Sequence, residues 1–259
     1  MPHDLNAIAA ALAEARRHLT PIPPVTETSP GFDVASAYAV QEINTLRRLA
    51  AGERIVGRKI GLTSPAVQAQ LGVDEPDYGM LFDVDDVSGA ASISAAGLMQ
   101  PKVEAEIAFV FGRPLQGANP SVEEVAAAID YAVAAVEIVD SAIADWRIAL
   151  ADTVADNASG AKFALGSDRR KLSEVDLHLG GMEMCLDGRQ VSVGVAAACL
   201  GNPLNATQWL AKKMAEVGRP LGAGDIVLSG ALGPMCNARP GNEFTVNVQG
   251  FKPLRIAFE

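Results

Sequence analysis

The sequence is poor in the groups that most enzymes use for nucleophilic or redox chemistry. Its 259 residues include three histidines and three cysteines. Cys185, Cys199 and Cys236 are scattered, with no CxxC pair. That excludes a disulfide framework and points to a reducing, cytoplasmic setting. HExxH, the GxGxxG dinucleotide fingerprint, the P-loop and the GxSxG nucleophile elbow are all missing. Basic charge is scarce too: Lys plus Arg total 21 against 31 Asp plus Glu, a formal charge of −10. An acidic chain without a basic run is poorly suited to nucleic acid or to an anionic membrane surface. No apolar run approaches the ~18 residues of a membrane span. The longest candidate, 126–139, is interrupted by Asp130 and Glu137. The N-terminus lacks the basic start and apolar run of a secretory signal. What is present is a globular composition, 49% hydrophobic and 20% charged. An enzyme built from it would work with carboxylates, lysine and an oxygen-liganded metal.

The spacing predicts a helix over 4–19, capped by Asp4, with Leu5, Ile8, Leu12, Ala15 and Leu19 on one face. Pro21, Pro23 and Pro24 break it. A second helix starts near Asp33, with Ala35, Ala39, Ile43, Leu46 and Ala50 as its apolar face and Gly52 as its stop. Beyond Gly52, short apolar runs alternate with Gly, Pro and Asp turns. RIVGRKIGLT and QPKVEAEIAFVFGRPL read as strands. Ser121 and Glu124 form a capping box for a helix to about Asp130, and 132–139 reads as a buried strand. Asn205 and Gln208 open a further helix that Gly218 and Pro220 close. DIVLSG, EFTVNVQG and LRIAF make a β-rich end. The expectation is an α+β protein: a small helical N-terminal segment, 1–50, and a strand-rich body, 51–259.

One strand carries an anomaly. In Val103-Glu104-Ala105-Glu106-Ile107-Ala108-Phe109, alternate residues share a face, so Glu104 and Glu106 point the same way, roughly 7 Å apart. The opposite face is wholly apolar. Two acids with so little polar company call for a cavity, and a divalent cation such as Mg or Mn would remove the cost of burying them as anions. Glu137, inside AVAAVEIV, is a natural third carboxylate. The alternative is that Glu104 and Glu106 face solvent on an edge strand and Glu137 pairs with Lys or Arg. Lys59, among Val56, Ile60 and Leu62, is a candidate proton carrier if it points into a pocket and a surface lysine if it does not. Asp77, in Asp74-Glu75-Pro76-Asp77-Tyr78-Gly79, reads as a turn residue. Phe82-Asp83-Val84-Asp85-Asp86 reads as a solvated turn, since it lacks a full calcium-loop pattern. Ser159 in DNASG either meets ligand oxygens or forms a polar turn. GALGPM either brings backbone N–H groups close to an anion or is an ordinary glycine turn. His178, in DLHLGG, reads as a strand surface residue.

Five blocks in order, KIGLTSPAVQAQLGVDEPDYGMLFD, KVEAEIAFVF, DTVADNAS, CLGNPLNATQWLAKKMA and SGALGPM, resemble the 2-hydroxypenta-2,4-dienoate (2-oxopent-4-enoate) hydratases. These belong to the fumarylacetoacetase-like superfamily, in the branch shared with 4-oxalocrotonate decarboxylases. The resemblance runs from about residue 5 to the C-terminus. It implies a mixed β-roll core with peripheral helices and a Mg or Mn site. It implies metal-binding roles for Glu104, Glu106 and Glu137, a proton-transfer role for Lys59 and an assisting role for Asp77. Thr63, Ser159, Leu232 and Gly233 would lie near the substrate. It further implies a small 2-oxo or 2-hydroxy acid substrate and a large homo-oligomer built on five-fold rings. It leaves room for a pathway aldolase or decarboxylase as partner.

Rival readings follow from the same residues. A decarboxylase of that branch would need an extra cation for a second substrate carboxylate. A C–C hydrolase acting on acylpyruvates would need a His-Glu pair near the N-terminus, for which His18 is the only candidate. A non-catalytic metal-binding subunit would be expected to have lost some of the carboxylate and lysine set.

Overall fold

The computed structural model describes residues 3–65, 68–69 and 73–259. Part of the KIGLTSPAVQAQLGVDEPDYGMLFD block, at 66–67 and 70–72, lies outside the described residues. The helices are α1 (Leu5–His18), α2 (Val25–Thr28), α3 (Val34–Ala50), α4 (Val122–Ala128), α5 (Leu150–Ala155) and α6 (Pro203–Glu216). The strands are β1 (Ile55–Gly61), β2 (Asp77–Phe82), β3 (Lys102–Phe111), β4 (Ile129–Val139), β5 (Gly160–Leu165), β6 (Gly181–Leu186), β7 (Arg189–Val195), β8 (Ile226–Leu228), β9 (Cys236–Asn237), β10 (Glu243–Val248) and β11 (Leu254–Ala257). They form a seven-stranded mixed sheet in the order β2-β1-β8-β3-β4-β5, with β9 on β3, and a four-stranded sheet in the order β11-β10-β6-β7. The β1–β8 pair is parallel and every other pair antiparallel. This mixed α+β architecture is the one expected. Among the described residues no helix is long and apolar enough to cross a membrane.

The caps follow the sequence signals. Asp4 accepts from Ala7 N at 3.0 Å, Asp33 from Ser36 N at 2.8 Å, and the Ser121/Glu124 box closes in both directions. Three boundaries move. The helix opened by Ser121 stops at Ala128, and the chain passes straight into β4 three residues before the expected start, because Ile129 already pairs with Phe111. Helix α6 starts at Pro203, not at Asn205, since Asn202 caps Leu204 N and proline suits the first turn. His178 sits in a turn, not on a strand, with its ring against the Gly201 carbonyl.

The buried face of α3 also differs from its apolar stripe. Ala37, Val40, Gln41 and Thr45 are buried, while Leu46 is 51% exposed. Gln41 decides the rotation: its amide donates to the carbonyls of Tyr78 and Val154, both at 2.9 Å, so a polar residue is the anchor. In α1, Ala9, Leu12 and Ala15 face inward but Leu19 ends the helix in the left-handed region, exposed. Both helices share one apolar cluster with Ala142, Ile143, Val154 and Ala155, so the N-terminal segment packs on the stretch between β4 and β5. A larger core lies between the two sheets around Phe109, Phe111, Phe244 and Val246. Each of these side chains contributes about 1.5–3 kcal/mol through burial.

Candidate active site

The floor of the site is sheet. Strand β3 is central, flanked by β4 and β8, so Glu104 and Glu106 are not on an edge. Glu104 stands directly opposite Glu137 in the β3–β4 register, an arrangement of like charges that opposes pairing. Glu106 follows on the same face. One carboxylate oxygen from each of the three lies within 4.8 Å of the others. Glu106 and Glu137 are 0% and 1% exposed. Glu106 Oε2 accepts the Gly230 N–H at 2.8 Å. Among the described residues, Glu106 Oε1 and Glu137 Oε2 have no hydrogen-bond partner. Burial first, and then the neighbouring carboxylates, raise Glu106 well above the ordinary range and lift Glu104 to about 7. Three acids so placed cannot all ionise without positive charge. Orphaned oxygens in an all-carboxylate donor set fit a hard divalent cation, so Glu104, Glu106 and Glu137 are the residues that could hold one.

Lys59 rises from β1 into this group, 3% exposed, not a surface lysine. Its Nζ lies 3.2 Å from Glu137 Oε1 and donates to the Ala158 carbonyl at 2.8 Å. Burial opposes its charge, but Glu137, Asp77, Glu104 and Glu106 outweigh that and raise its pKa. Asp77 on β2 pairs in register with Gly61 and is buried, not a solvated turn residue. A side chain at Gly61 would collide with Asp77 Oδ1, so glycine there admits the acid beside the lysine. Burial raises Asp77 and Lys59 lowers it.

The wall is irregular backbone. Asn157, Ala158 and Ser159 are consecutive non-glycine residues with φ of 55°, 50° and 54°. Left-handed residues of this kind cost about 1–2 kcal/mol each, so surrounding contacts must hold the turn. Asn157 does so in both directions: its side chain accepts from Met80 N at 2.8 Å and donates to Met80 O at 3.0 Å. Ser159 O accepts from Asp140 N, and Ser159 Oγ lies 3.2 Å from Thr153 Oγ1. Opposite, the 229–232 loop runs along β3, with Ser229 N and Leu232 N donating to Ile107 O and Ala105 O. Gly230, at φ 108°, packs so closely on Thr63 that a side chain would strike its Oγ1. The buried Cys199 thiol, pushed up to about 12 by burial and then Glu106, donates to Gly230 O at 3.0 Å. It is a structural hydrogen-bond donor.

Floor and wall enclose a cavity of about 580 Å³. Lys59, Thr63, Asp77, Glu104, Ser159, Leu232 and Gly233 all line it, and Glu106 and Glu137 lie beneath. All nine site residues that the family resemblance implies are thus brought together. The Gly230 N–H on Glu106 is a backbone donor of the GALGPM loop meeting an anion; several further groups escaped the sequence reading: the Ala158 carbonyl, Asn157, Trp146 and the β7 residues Val193 and Val195. Main-chain groups carry no sequence signal, and β7 reaches the cavity only through tertiary packing. The acidic run 83–86 after β2 is ion-paired, with Asp83 on Arg54 and Asp85 on Arg48, while Phe82 ends the strand and is buried. His18 does meet Glu14, at 3.1 Å, but on the exposed side of α1 and outside the cavity lining.

This curled mixed sheet with helices around a carboxylate cluster is the fumarylacetoacetate (FAA) hydrolase C-terminal fold, whose family model matches residues 76–258. The chain is 50% identical over 258 residues to a 2-keto-4-pentenoate hydratase of Paraburkholderia xenovorans, covering 100% of this chain and 96% of that one. It is 53% identical over 254 residues to 2-keto-4-pentenoate hydratase 1 of Dechloromonas aromatica, covering 98% and 96%. A solved structure of 4-oxalocrotonate decarboxylase from Pseudomonas putida G7, complexed with magnesium and adipate, superposes with a TM-score of 0.94 at 37% identity, over 98% of this chain and 97% of that chain. The chain belongs to the 2-keto-4-pentenoate hydratase family within the FAA hydrolase superfamily.

Proposed function

We propose that the cavity hydrates 2-hydroxypenta-2,4-dienoate, the enol of 2-keto-4-pentenoate, to 4-hydroxy-2-oxopentanoate, a step of aromatic meta-cleavage catabolism. The observation that carries this reading is the convergence of Glu104, Glu106 and Glu137 beside buried Lys59 on the cavity floor. Glu104, Glu106 and Glu137 would hold a Mg or Mn ion. When bound, such a cation supplies Lewis acidity toward the adjacent carboxylate and 2-oxygen of the substrate.

The chain's own groups do the rest. Lys59 Nζ, kept charged by the acids around it, is the proton carrier for ketonisation of the dienol. The Ala158 carbonyl fixes the direction of that ammonium. Asp77, buried near the lysine, assists the return of the proton, and Asp77 and a cluster carboxylate remain the two bases available to water. Thr63, Ser159 and the Leu232-Gly233 backbone bound the substrate, within an apolar lining that includes Val139, Ile148 and Val195.

Among the described residues lining the cavity Lys59 is the only cation. A second substrate carboxylate would find no further cation among them, which favours the monoacid hydratase over the decarboxylase of the same branch. The surface position of His18 removes the support for a C–C hydrolase. The three cysteines are unpaired, in keeping with a cytoplasmic enzyme. Exposed Leu46, Val84, Leu179 and Val193 suit a homo-oligomer, which light scattering would size.

The test is to mix the protein with freshly generated dienol and Mg, Mn or EDTA, following loss of the dienol chromophore and the product mass. Metal-dependent gain of one water is expected. Carbon dioxide release from 4-oxalocrotonate, with no turnover of the dienol, would replace this reading with the decarboxylase.

A further inference from the structure

We infer that Arg16, on the N-terminal helix and outside the cavity lining, is a positioning residue that sets Lys59 through the left-handed turn at 157–159. The inference rests on Lys59 being the proton carrier. In sequence Arg16 is one of three basic residues closing α1, a pattern that complements the helix dipole. Its neighbour Arg17 fits that description, paired with exposed Glu14. Arg16 does something else. Its Nε donates to Asp156 Oδ1 at 2.8 Å, and its Nη2 donates to Asp140 O at 2.9 Å and Asp156 O at 3.3 Å.

One acceptor, Asp156, leads into the turn; the other, Asp140, follows β4 and lies beside the turn's exit. Asp156 O also accepts Ser159 N, the bond that closes the turn, and Asp156 Oδ2 accepts Ala142 N. Asp140 N in turn donates to Ser159 O. One planar guanidinium therefore fixes the entry directly and the exit through Asp140, as a rigid fork can and an ammonium cannot. From the middle of the held turn the Ala158 carbonyl takes Lys59 Nζ. Without Arg16, the Asp156 carboxylate, 1% exposed, loses its cation. Three residues held at positive φ are then free to relax, and the Ala158 carbonyl leaves the lysine. Glu104, Glu106 and Glu137 lie on the sheet and are untouched.

The experiment compares full-length Arg16→Met, Arg16→Lys, Arg16→Ala and the control Arg17→Met. It reads kcat, KM, Mg affinity by calorimetry, and melting temperature. Arg16→Met should lose roughly tenfold to a hundredfold in kcat, the scale of an ångström-sized misplacement. KM and the Mg dissociation constant should stay within about threefold, and Arg17→Met should match wild type. Arg16→Lys should recover only a small part of the loss. Arg16 lines a second cavity of about 350 Å³, so added guanidinium ion should restore Arg16→Ala where tetramethylammonium does not. A folded Arg16→Met with unchanged kcat overturns the proposal. So does a parallel loss of kcat, KM, Mg affinity and melting temperature, which marks a general prop. If Arg16→Met does not fold, wild-type kcat in Arg16→Lys overturns it as well. Inactive wild-type enzyme that still binds Mg would instead indict the hydratase reading.

Discussion

The floor and the wall of the cavity are built by opposite means. On the floor, Lys59, Glu104, Glu106 and Glu137 stand on paired strands, placed by alternation within each strand and register between them. Their backbone is relaxed, and the tension lies in the charges. On the wall, Asn157, Ala158 and Ser159 carry no buried charge, and the tension lies in the backbone, at φ of 50–55°. The floor needs a cation to be comfortable, whereas the wall needs distant side chains. A reactive site can thus store its cost in electrostatics or in torsion, and this one divides the two between neighbouring segments.

Removing a floor charge should have the largest effect. Glu106→Gln deletes a ligand charge while keeping shape, so metal-dependent turnover should fall by about 10³-fold or more. Calorimetry should find no Mg binding, and the metal-free melting temperature should hold or rise because one crowded acid is gone. Wild-type turnover in that variant would detach the cluster from the chemistry. Next comes Lys59→Met, with kcat lower by about 10²–10⁴-fold and Mg affinity altered only several-fold. An unchanged kcat would leave Lys59 as a structural counter-ion of Glu137.

The floor was open to sequence reading; of the wall only Ser159 and the GALGPM loop were, and not what supports them. Period-two alternation put Glu104 and Glu106 on one face, and an acid within AVAAVEIV needed a partner. What alternation could not supply was that Glu137 lies opposite Glu104, because register between strands is a tertiary fact. Asn157 and Arg16 were invisible as supports, since their partners, Met80 and Asp156, are 77 and 140 residues away. The α3 face failed for a related reason: Gln41 is buried for its two hydrogen bonds, which a hydrophobicity stripe ranks as exposed.

The floor's electrostatics make a pH-dependent prediction of intermediate size. Glu104 titrates at about 7 instead of 4.5, with Glu106 and Glu137 raised in the same sense. A carboxyl raised on folding gives its full stability below its unfolded value and loses it as pH climbs through the folded one. Metal-free protein should therefore lose melting temperature between about pH 4.5 and 7, by roughly 5 °C or more. Saturating Mg should reverse that loss, because the ion takes the place of the protons. Scanning calorimetry with EDTA or Mg at both pH values checks the sign. A metal-free protein that gains stability over the same interval would contradict the proposed charge crowding.

The smallest expected effect separates torsion from charge. Ala158 has φ 50° and is 3% exposed, and it uses only its carbonyl on Lys59. Ala158→Gly relieves about 1 kcal/mol of left-handed strain but adds about 0.5–1 kcal/mol of unfolded-state entropy, so melting should move by less than about 3 °C. The carbonyl, however, is then held by a looser peptide, and kcat should fall several-fold with Mg affinity unchanged. Ala158→Val, branched at a positive φ, should instead lose stability outright. If glycine leaves kcat intact, the wall is only a passive lining, and the division between a charged floor and a strained wall loses its functional meaning. A several-fold loss at constant stability would mean that the strain itself aims the lysine.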